Sequence, residues 1–279
     1  MSTFGIVGLG TIGLKLVEYL AEKGFEVIGY NYRDVDTKNK KFYEAIERKI
    51  KYEKLPLSSF ETVMNRVRLS ENLADLADST IIIDATKEDY DVKKKALEAI
   101  RAIVQEKDSI VATTTSSLSL ERLARDSGLP DLVGMHFFNP PTRMKLIELA
   151  LPSSFSQGKR AKLYKILASF DDKAIVEVPQ VQGYIVNRIL FAYLNFALEF
   201  MRTNNLAPSV VDSAMKLGTN SPMGPLELTD YIGNDVSLQI LNEFYRATGD
   251  ERYKPDQLLA DIVSSGQLGR KTKQGFYQY

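Results

Sequence analysis

Phe4-Gly5-Ile6-Val7-Gly8-Leu9-Gly10-Thr11-Ile12-Gly13 decides the fold of this chain. Phe4 to Val7 reads as a short buried strand, and a Gly-x-Gly-x-x-Gly run follows it directly. The apolar spacing Leu14, Val17, Leu20, Ala21 starts a helix at that point. Gly24 fits the helix end, and Phe25 to Tyr30 reads as a second strand. In this context each glycine has its own task. Gly8 permits the tight turn, Gly10 lets the backbone approach a pyrophosphate, and Gly13 allows close packing of helix on strand. Phosphate charge then meets the unpaired N–H groups of the first helical turn, at Thr11 and Ile12, and the positive end of the helix. The reading is a Rossmann-type dinucleotide-binding turn, with a nicotinamide cofactor as the expected ligand.

The end of the second strand bears on which cofactor. An acidic residue there would bind the ribose 2′-hydroxyl of NAD. This chain has Tyr30-Asn31-Tyr32-Arg33-Asp34 instead. A neutral Asn31 does not repel a 2′-phosphate and Arg33 could pair with one, which suits NADP. Equally, Asn31 could bind the hydroxyl of NAD while Arg33 points to solvent beside Asp34 or Asp36.

Outward from this turn, strands and helices alternate. Residues 38–54 have helical spacing at Phe42, Ile46 and Ile50 with an exposed, Lys- and Glu-rich remainder. Pro56 breaks that helix, and the next is expected to run to about Val67. Ser79 to Asp84, Ser109 to Thr113, Asp131 to His136 and Leu146 to Leu149 read as further strands, with a helix over 89–104. Such βα alternation is the signature of a doubly wound sheet. Ala85 and Glu88, just past one strand, and Thr114, just past the next, join the expected cofactor contacts, because ligands of such sheets bind beyond the strands' carboxyl ends. After about residue 180 the pattern becomes all-helical. Ile185, Ile189, Tyr193, Phe196 and Phe200 share one face of a long helix and read as core packing, and helices follow at 208–217, 233–247 and 256–265. The fold class is therefore α/β: a Rossmann-type doubly wound sheet over residues 1–183, then an all-α C-terminal domain over 184–279 for substrate binding and dimerisation.

Composition narrows the function classes. Basic and acidic residues balance at 36 each, so nothing suggests a nucleic-acid partner. No apolar run approaches the roughly 20 residues of a membrane span. The first strand begins almost at once, which leaves no room for a signal peptide, and a cytoplasmic location is expected. With no cysteine and one histidine, neither a thiolate nor a multi-histidine metal site is expected.

Four segments carry chemistry: Thr113-Thr114-Thr115-Ser116-Ser117-Leu118-Ser119, Gly134-Met135-His136-Phe137-Phe138-Asn139-Pro140, Met144-Lys145-Leu146-Ile147-Glu148 and Gly183-Tyr184-Ile185-Val186-Asn187-Arg188. With them go Gly218-Thr219-Asn220-Ser221-Pro222-Met223-Gly224-Pro225-Leu226-Glu227-Leu228 and the tail from Gly269-Arg270-Lys271 to Gly275-Phe276-Tyr277. In this order they make the chain resemble the L-3-hydroxyacyl-CoA dehydrogenase family. The resemblance implies hydride transfer between a nicotinamide cofactor and an L-3-hydroxyacyl thioester. It implies that His136 is the base, that Glu148 orients it, and that Ser116 and Asn187 hold the substrate oxygen. Those roles suit the residue types: an imidazole ordinarily titrates near neutrality, and a carboxylate beside it stabilises the protonated form.

Three departures touch substrate identity. Thr114 stands where the family has Asn. Thr142-Arg143 follows Asn139-Pro140-Pro141 where small or apolar residues are usual, and Arg143 could recognise a carboxylate or phosphate, or be a solvated rim residue. The segment resembling the family's CoA-binding hairpin mixes Lys49, Lys51 and Lys54 with Glu47 and Glu53. An acyl carrier protein presenting a short polar hydroxyacyl group is therefore an alternative carrier, and a non-catalytic cofactor-binding relative an alternative class. Family members also imply a homodimer, with the long apolar helix as its surface.

Overall fold

The computed structural model of the protein describes residues 2–54, 56–104 and 108–279. The chain divides into two compact units between Val181 and Gln182. The first holds strands β1 (Thr3–Val7), β2 (Glu26–Tyr30), β3 (Val67–Ser70), β4 (Ile81–Asp84), β5 (Ile110–Thr113), β6 (Val133–Phe137), β7 (Leu146–Ala150) and β8 (Ala174–Glu177). Its helices are α1 (Thr11–Glu22), α2 (Val35–Glu53), α3 (Leu57–Met64), α4 (Tyr90–Val104), α5 (Leu120–Ser127) and α6 (Gln157–Leu167).

The strands form one sheet in the order β3-β2-β1-β4-β5-β6-β7-β8. Every described pair is parallel except β6 with β7. The Ile81-Ile82-Ile83 run explains why β4 is central: all three side chains are fully buried, as a parallel strand covered on both faces requires. The chain winds from β1 outward to β3, then returns to β4 on the other side of β1, so the carboxyl ends of β1 and β4 flank the switch point where doubly wound sheets bind ligands. Register makes this edge a straight row. Tyr30 pairs with Val7, Val7 with Asp84, Asp84 with Thr113, and Thr113 with Gly134. Asn31, Gly8, Ala85 and Thr114 are thus each the first residue past the row.

Two strands are absent from the sequence reading, and one helix end is corrected. The helix expected to run to about Val67 stops at Met64, and Val67 begins β3 instead. Both β3 and β8 are edge strands whose side chains are largely part-exposed or exposed, so neither carries a strong apolar signal.

The second unit comprises α7 (Val186–Thr203), α8 (Pro208–Thr219), α9 (Pro225–Ile232), α10 (Asn234–Thr248) and α11 (Gln257–Ser264). Its core joins Phe191, Leu194, Leu198 and Met201 of α7 to Leu226, Leu241, Phe244 and Leu259. This corrects the expectation that the face of Ile189, Phe196 and Phe200 is core: these three are 66%, 63% and 47% exposed. Because α7 is apolar on two faces, helical spacing alone does not say which one packs inward. Two buried carboxylates, with no cationic partner among the described residues, tie the unit together. Asp212 accepts the amides of Leu226 and Glu227 at the start of α9, and Asp230 accepts those of Phe276 and Tyr277 in the C-terminal tail.

Candidate active site

The glycine turn shows three distinct constraints. Gly8 has φ +96°, and a Cβ there would lie 2.9 Å from the backbone of Thr86. A Cβ on Gly13 would stand 1.9 Å from the carbonyl oxygen of Gly8, so α1 packs against its own entry turn. A Cβ on Gly10, by contrast, would meet nothing within 4 Å. Gly10 caps α1 with no side-chain bond to the first turn. Open space, helix N-terminus and amides at Thr11 and Ile12 together suit a dinucleotide pyrophosphate.

Asn31 reinforces this turn. Its Oδ1 accepts the Leu9 amide at 3.2 Å, and its Nδ2 donates to the Arg33 carbonyl at 2.6 Å. The Arg33 side chain is 69% exposed and sits 3.8 Å from the Asp34 carboxylate, with its guanidinium 4.9 Å from the Tyr32 ring centre. That is the solvent-facing arrangement. Ala85 is buried behind the turn, donating its amide to Val7, and the Thr114 amide donates to Asp84.

His136 and Glu148 occupy directly opposed positions in the antiparallel β6–β7 pair, which puts both side chains on one sheet face. His136 Nδ1 lies 2.8 Å from Glu148 Oε2, and both residues are buried. With the carboxylate ionised, Nδ1 carries the hydrogen in this contact and donates it, which leaves Nε2 as the basic nitrogen of a neutral imidazole. The Phe138 ring packs 4.5 Å from the imidazole and helps fix its plane. The histidine stands two residues past the strand row, on the same carboxyl edge as the glycine turn.

Ser116 lies in the loop after β5 on that edge, held by Glu88, which the sequence reading expected at the cofactor, and backed by Asp84 and Lys93, which it missed. Glu88 Oε1 accepts the amides of Ser116 and Ser117 and the hydroxyl of Thr115, each at 2.8 Å. Behind it, Lys93 Nζ lies 3.0 Å from Asp84 Oδ2, and both side chains are completely buried. Lys93 also donates to the Thr86 carbonyl at 3.2 Å and stands 3.8 Å from Glu88 Oε2. Asp84 further accepts the Thr113 hydroxyl at 2.8 Å. One signal was available: an aspartate closing an otherwise isoleucine strand needs a buried partner.

Helix α2 borders a cleft of about 800 Å³ lined by Lys15, Glu18, Arg48, Lys51, Glu53 and Arg143, among others. Arg143 thus faces α2 from the β6–β7 loop. Lys49 is engaged by Glu18 and Glu22, whereas Lys54, just past α2, is exposed. Asn187 belongs to the second unit, in the first turn of α7. Its neighbour Arg188 lies 5.0 Å from the Tyr253 ring centre, and the Arg188 carbonyl accepts the Tyr253 hydroxyl.

The model for the NAD binding domain of 3-hydroxyacyl-CoA dehydrogenase matches residues 3–181, and that for its C-terminal domain matches residues 183–279. The chain belongs to the 3-hydroxyacyl-CoA dehydrogenase family. It is 36% identical over 277 residues to a 3-hydroxybutyryl-CoA dehydrogenase of Clostridioides difficile, covering 98% of each chain. A probable 3-hydroxybutyryl-CoA dehydrogenase of Deinococcus radiodurans is 33% identical, with 99% of each covered. The crystal structure of an (S)-3-hydroxybutyryl-CoA dehydrogenase from Ralstonia eutropha superposes with a TM-score of 0.92 at 35% identity, covering 100% of this chain and 99% of that one. The first unit of this 3-hydroxyacyl-CoA dehydrogenase is accordingly its NAD-binding domain, and the protein is an oxidoreductase. No helix among the described residues is long and apolar enough to cross a membrane.

Proposed function

We propose that the enzyme interconverts a short-chain L-3-hydroxyacyl-CoA, 3-hydroxybutyryl-CoA being the reference substrate, and the corresponding 3-oxoacyl-CoA. The observation that carries this reading is the buried 2.8 Å contact between His136 and Glu148 on the strand edge that also bears the dinucleotide turn. The glycine turn from Gly8 to Gly13, with Asn31 behind it, would hold NAD, which would supply the hydride acceptor for the alcohol carbon and, reduced, the donor for the reverse direction. His136 Nε2 takes the hydroxyl proton as the carbonyl forms, and Glu148 stabilises the resulting imidazolium. Ser116 holds the substrate oxygen through its hydroxyl, limiting charge on that oxygen as the proton leaves, and Asn187 keeps the substrate-holding role that the family resemblance implies for it. Thr114, shorter than the family's Asn, borders the same edge.

Carrier choice follows from charge. Arg48, Lys51 and Arg143 line the cleft beside α2 without an ion-pair partner among the described residues, and Lys54 stands just past α2. Of the two glutamates in the lining, Glu18 is engaged by Lys15 and Lys49, which leaves Glu53 against the basic excess. Such a surface suits the phosphates of CoA better than a phosphopantetheine arm carried by a protein, which lacks the nucleotide. NAD is the cofactor in this reading, with Arg33 left in solvent. The exposed face of α7, with Ile189, Phe196 and Phe200, is the surface of a homodimer.

The direct assay follows NADH consumption with acetoacetyl-CoA, in parallel with the same acyl group on an acyl carrier protein. Efficient turnover of the CoA thioester, with the carrier-bound form at least about tenfold slower in kcat/KM, is the expected result. Preference for the carrier-bound form would reverse the carrier assignment, and no turnover of either would reverse the activity.

A further inference from the structure

One carboxylate oxygen collects nearly the whole loop that bears Ser116. Glu88 Oε1 accepts both successive amides of Ser116 and Ser117 and the Thr115 hydroxyl at 2.8 Å, with Ser117 Oγ at 3.1 Å. Ser116 Oγ stands further off, at 3.4 Å, so the grip is chiefly on its backbone. Charge-assisted bonds of this kind are about twice as strong as neutral ones, and converging on one atom they fix a loop's position as well as its conformation.

Glu88 is itself held from behind. Lys93 Nζ lies between Glu88 Oε2 at 3.8 Å and Asp84 Oδ2 at 3.0 Å, fully buried, with the Thr86 carbonyl as a third partner. Asp84 in turn accepts the hydroxyls of Thr113 and Thr86 and the Thr86 amide. Asp84 and Thr113 are partners in the strand row, and Thr113 pairs with Gly134, two residues before His136. The chain of contacts Thr113–Asp84–Lys93–Glu88–Ser116 therefore starts from the same strand row that His136 stands two residues beyond.

We infer that Glu88 is a positioning residue that acts through Ser116: backed by Lys93 and Asp84, it sets the distance between the serine hydroxyl and the imidazole across the substrate oxygen. This rests on the dehydrogenase reading above and adds the device that aligns its two halves. Glu88 is part-exposed at the site while Lys93 is sealed beneath it, which suits a fixed carboxylate on a buried counter-charge.

Kinetics of Glu88→Ala and Glu88→Gln, each alone and combined with Ser116→Ala, test this, alongside NADH titration by fluorescence. Ser116→Ala alone should lower kcat. Glu88→Ala should lower it about 100-fold, the scale of an ångström's misplacement of a reacting group. The double variant should be no slower than the slower single one within about threefold, because both changes remove one alignment. The NADH dissociation constant should stay within about threefold of wild type in Ser116→Ala, and in the Glu88 variants, where a cofactor contact is also expected, any weakening should be smaller than the fall in kcat. Should Glu88→Ala fail to fold, Glu88→Gln, which keeps an acceptor oxygen but not the charge, should show the same non-additivity with a loss of at least about tenfold. Losses that multiply, or a loss confined to NADH affinity, would overturn the inference and leave the dehydrogenase reading intact. Full activity in Ser116→Ala alone would instead remove Ser116 from the site, and the inference with it.

Discussion

In the proposed mechanism Glu148 serves its partner His136 by charge rather than by shape. Glu148→Gln keeps an oxygen within reach of His136 Nδ1 but no longer stabilises an imidazolium. We expect kcat to fall on the order of 10³-fold, roughly 4 kcal/mol of transition-state stabilisation, with NADH affinity unchanged. A loss below about tenfold would mean that the carboxylate only packs against the ring. Arg33 makes the opposite case: exposed beside Tyr32 and Asp34, it should contribute nothing to cofactor choice. Wild type and Arg33→Ala should both prefer NAD over NADP by about 100-fold or more in kcat/KM, and a preference for NADP lost in the variant would contradict this. At this scale the pairing of His136 with Glu148 was legible through the family resemblance: a sole histidine narrows the choice of base, but nothing in spacing alone singles out one of 36 acidic residues as its partner. The sequence was uninformative for Lys93, whose helix position resembles any exposed lysine until the fold lays it over Asp84.

Among elements, the β1–α1 turn separates glycines that packing requires from one, Gly10, that only the proposed pyrophosphate contact would require. Gly13→Ala would drive a methyl into the Gly8 carbonyl, 1.9 Å away, and backbone cannot yield cheaply. A destabilisation of about 1–3 kcal/mol or more is expected, read as a lowered Tm. Gly10→Ala fills space that no protein atom occupies within 4 Å. Apart from a capping cost of up to about 1 kcal/mol, it should fold as wild type and bind NADH at least about tenfold more weakly. Equal NADH affinity in Gly10→Ala would remove the pyrophosphate from that space. The same turn was fully legible beforehand because strand, glycine spacing and helix onset agree over ten consecutive residues. β3 and β8 were not, since an edge strand needs little apolar surface, and α7 was read with its faces exchanged because both are apolar.

In the whole molecule, distant segments of the first unit are tied by a polar knot. Tyr19 and Lys23 of α1 meet Asp171, Asp172 and Lys173 ahead of β8. Burial alone would raise the Asp172 carboxyl, but hydrogen bonds from Lys173, Lys23 and Tyr19 outweigh it and hold the group well below the usual carboxylate range. A depressed carboxyl contributes stability above its unfolded value of about 3.9 and loses it as pH falls through the folded one. Wild type should therefore exceed Asp172→Asn in Tm at neutral pH, with the gap closing below about pH 4; a gap independent of pH would deny the linkage. The exposed α7 face should similarly yield a dimer by sedimentation that Phe196→Glu dissociates, and a wild-type monomer would dismiss that surface as an interface. The most direct measurement of the central claim is the rate of acetoacetyl-CoA reduction by NADH in wild type and in His136→Ala, with NADH binding measured on both. Wild type should turn over and His136→Ala should be slower by at least about 10³-fold with unchanged NADH affinity; a variant that keeps the wild-type rate would show that the buried imidazole on β6 is not the base.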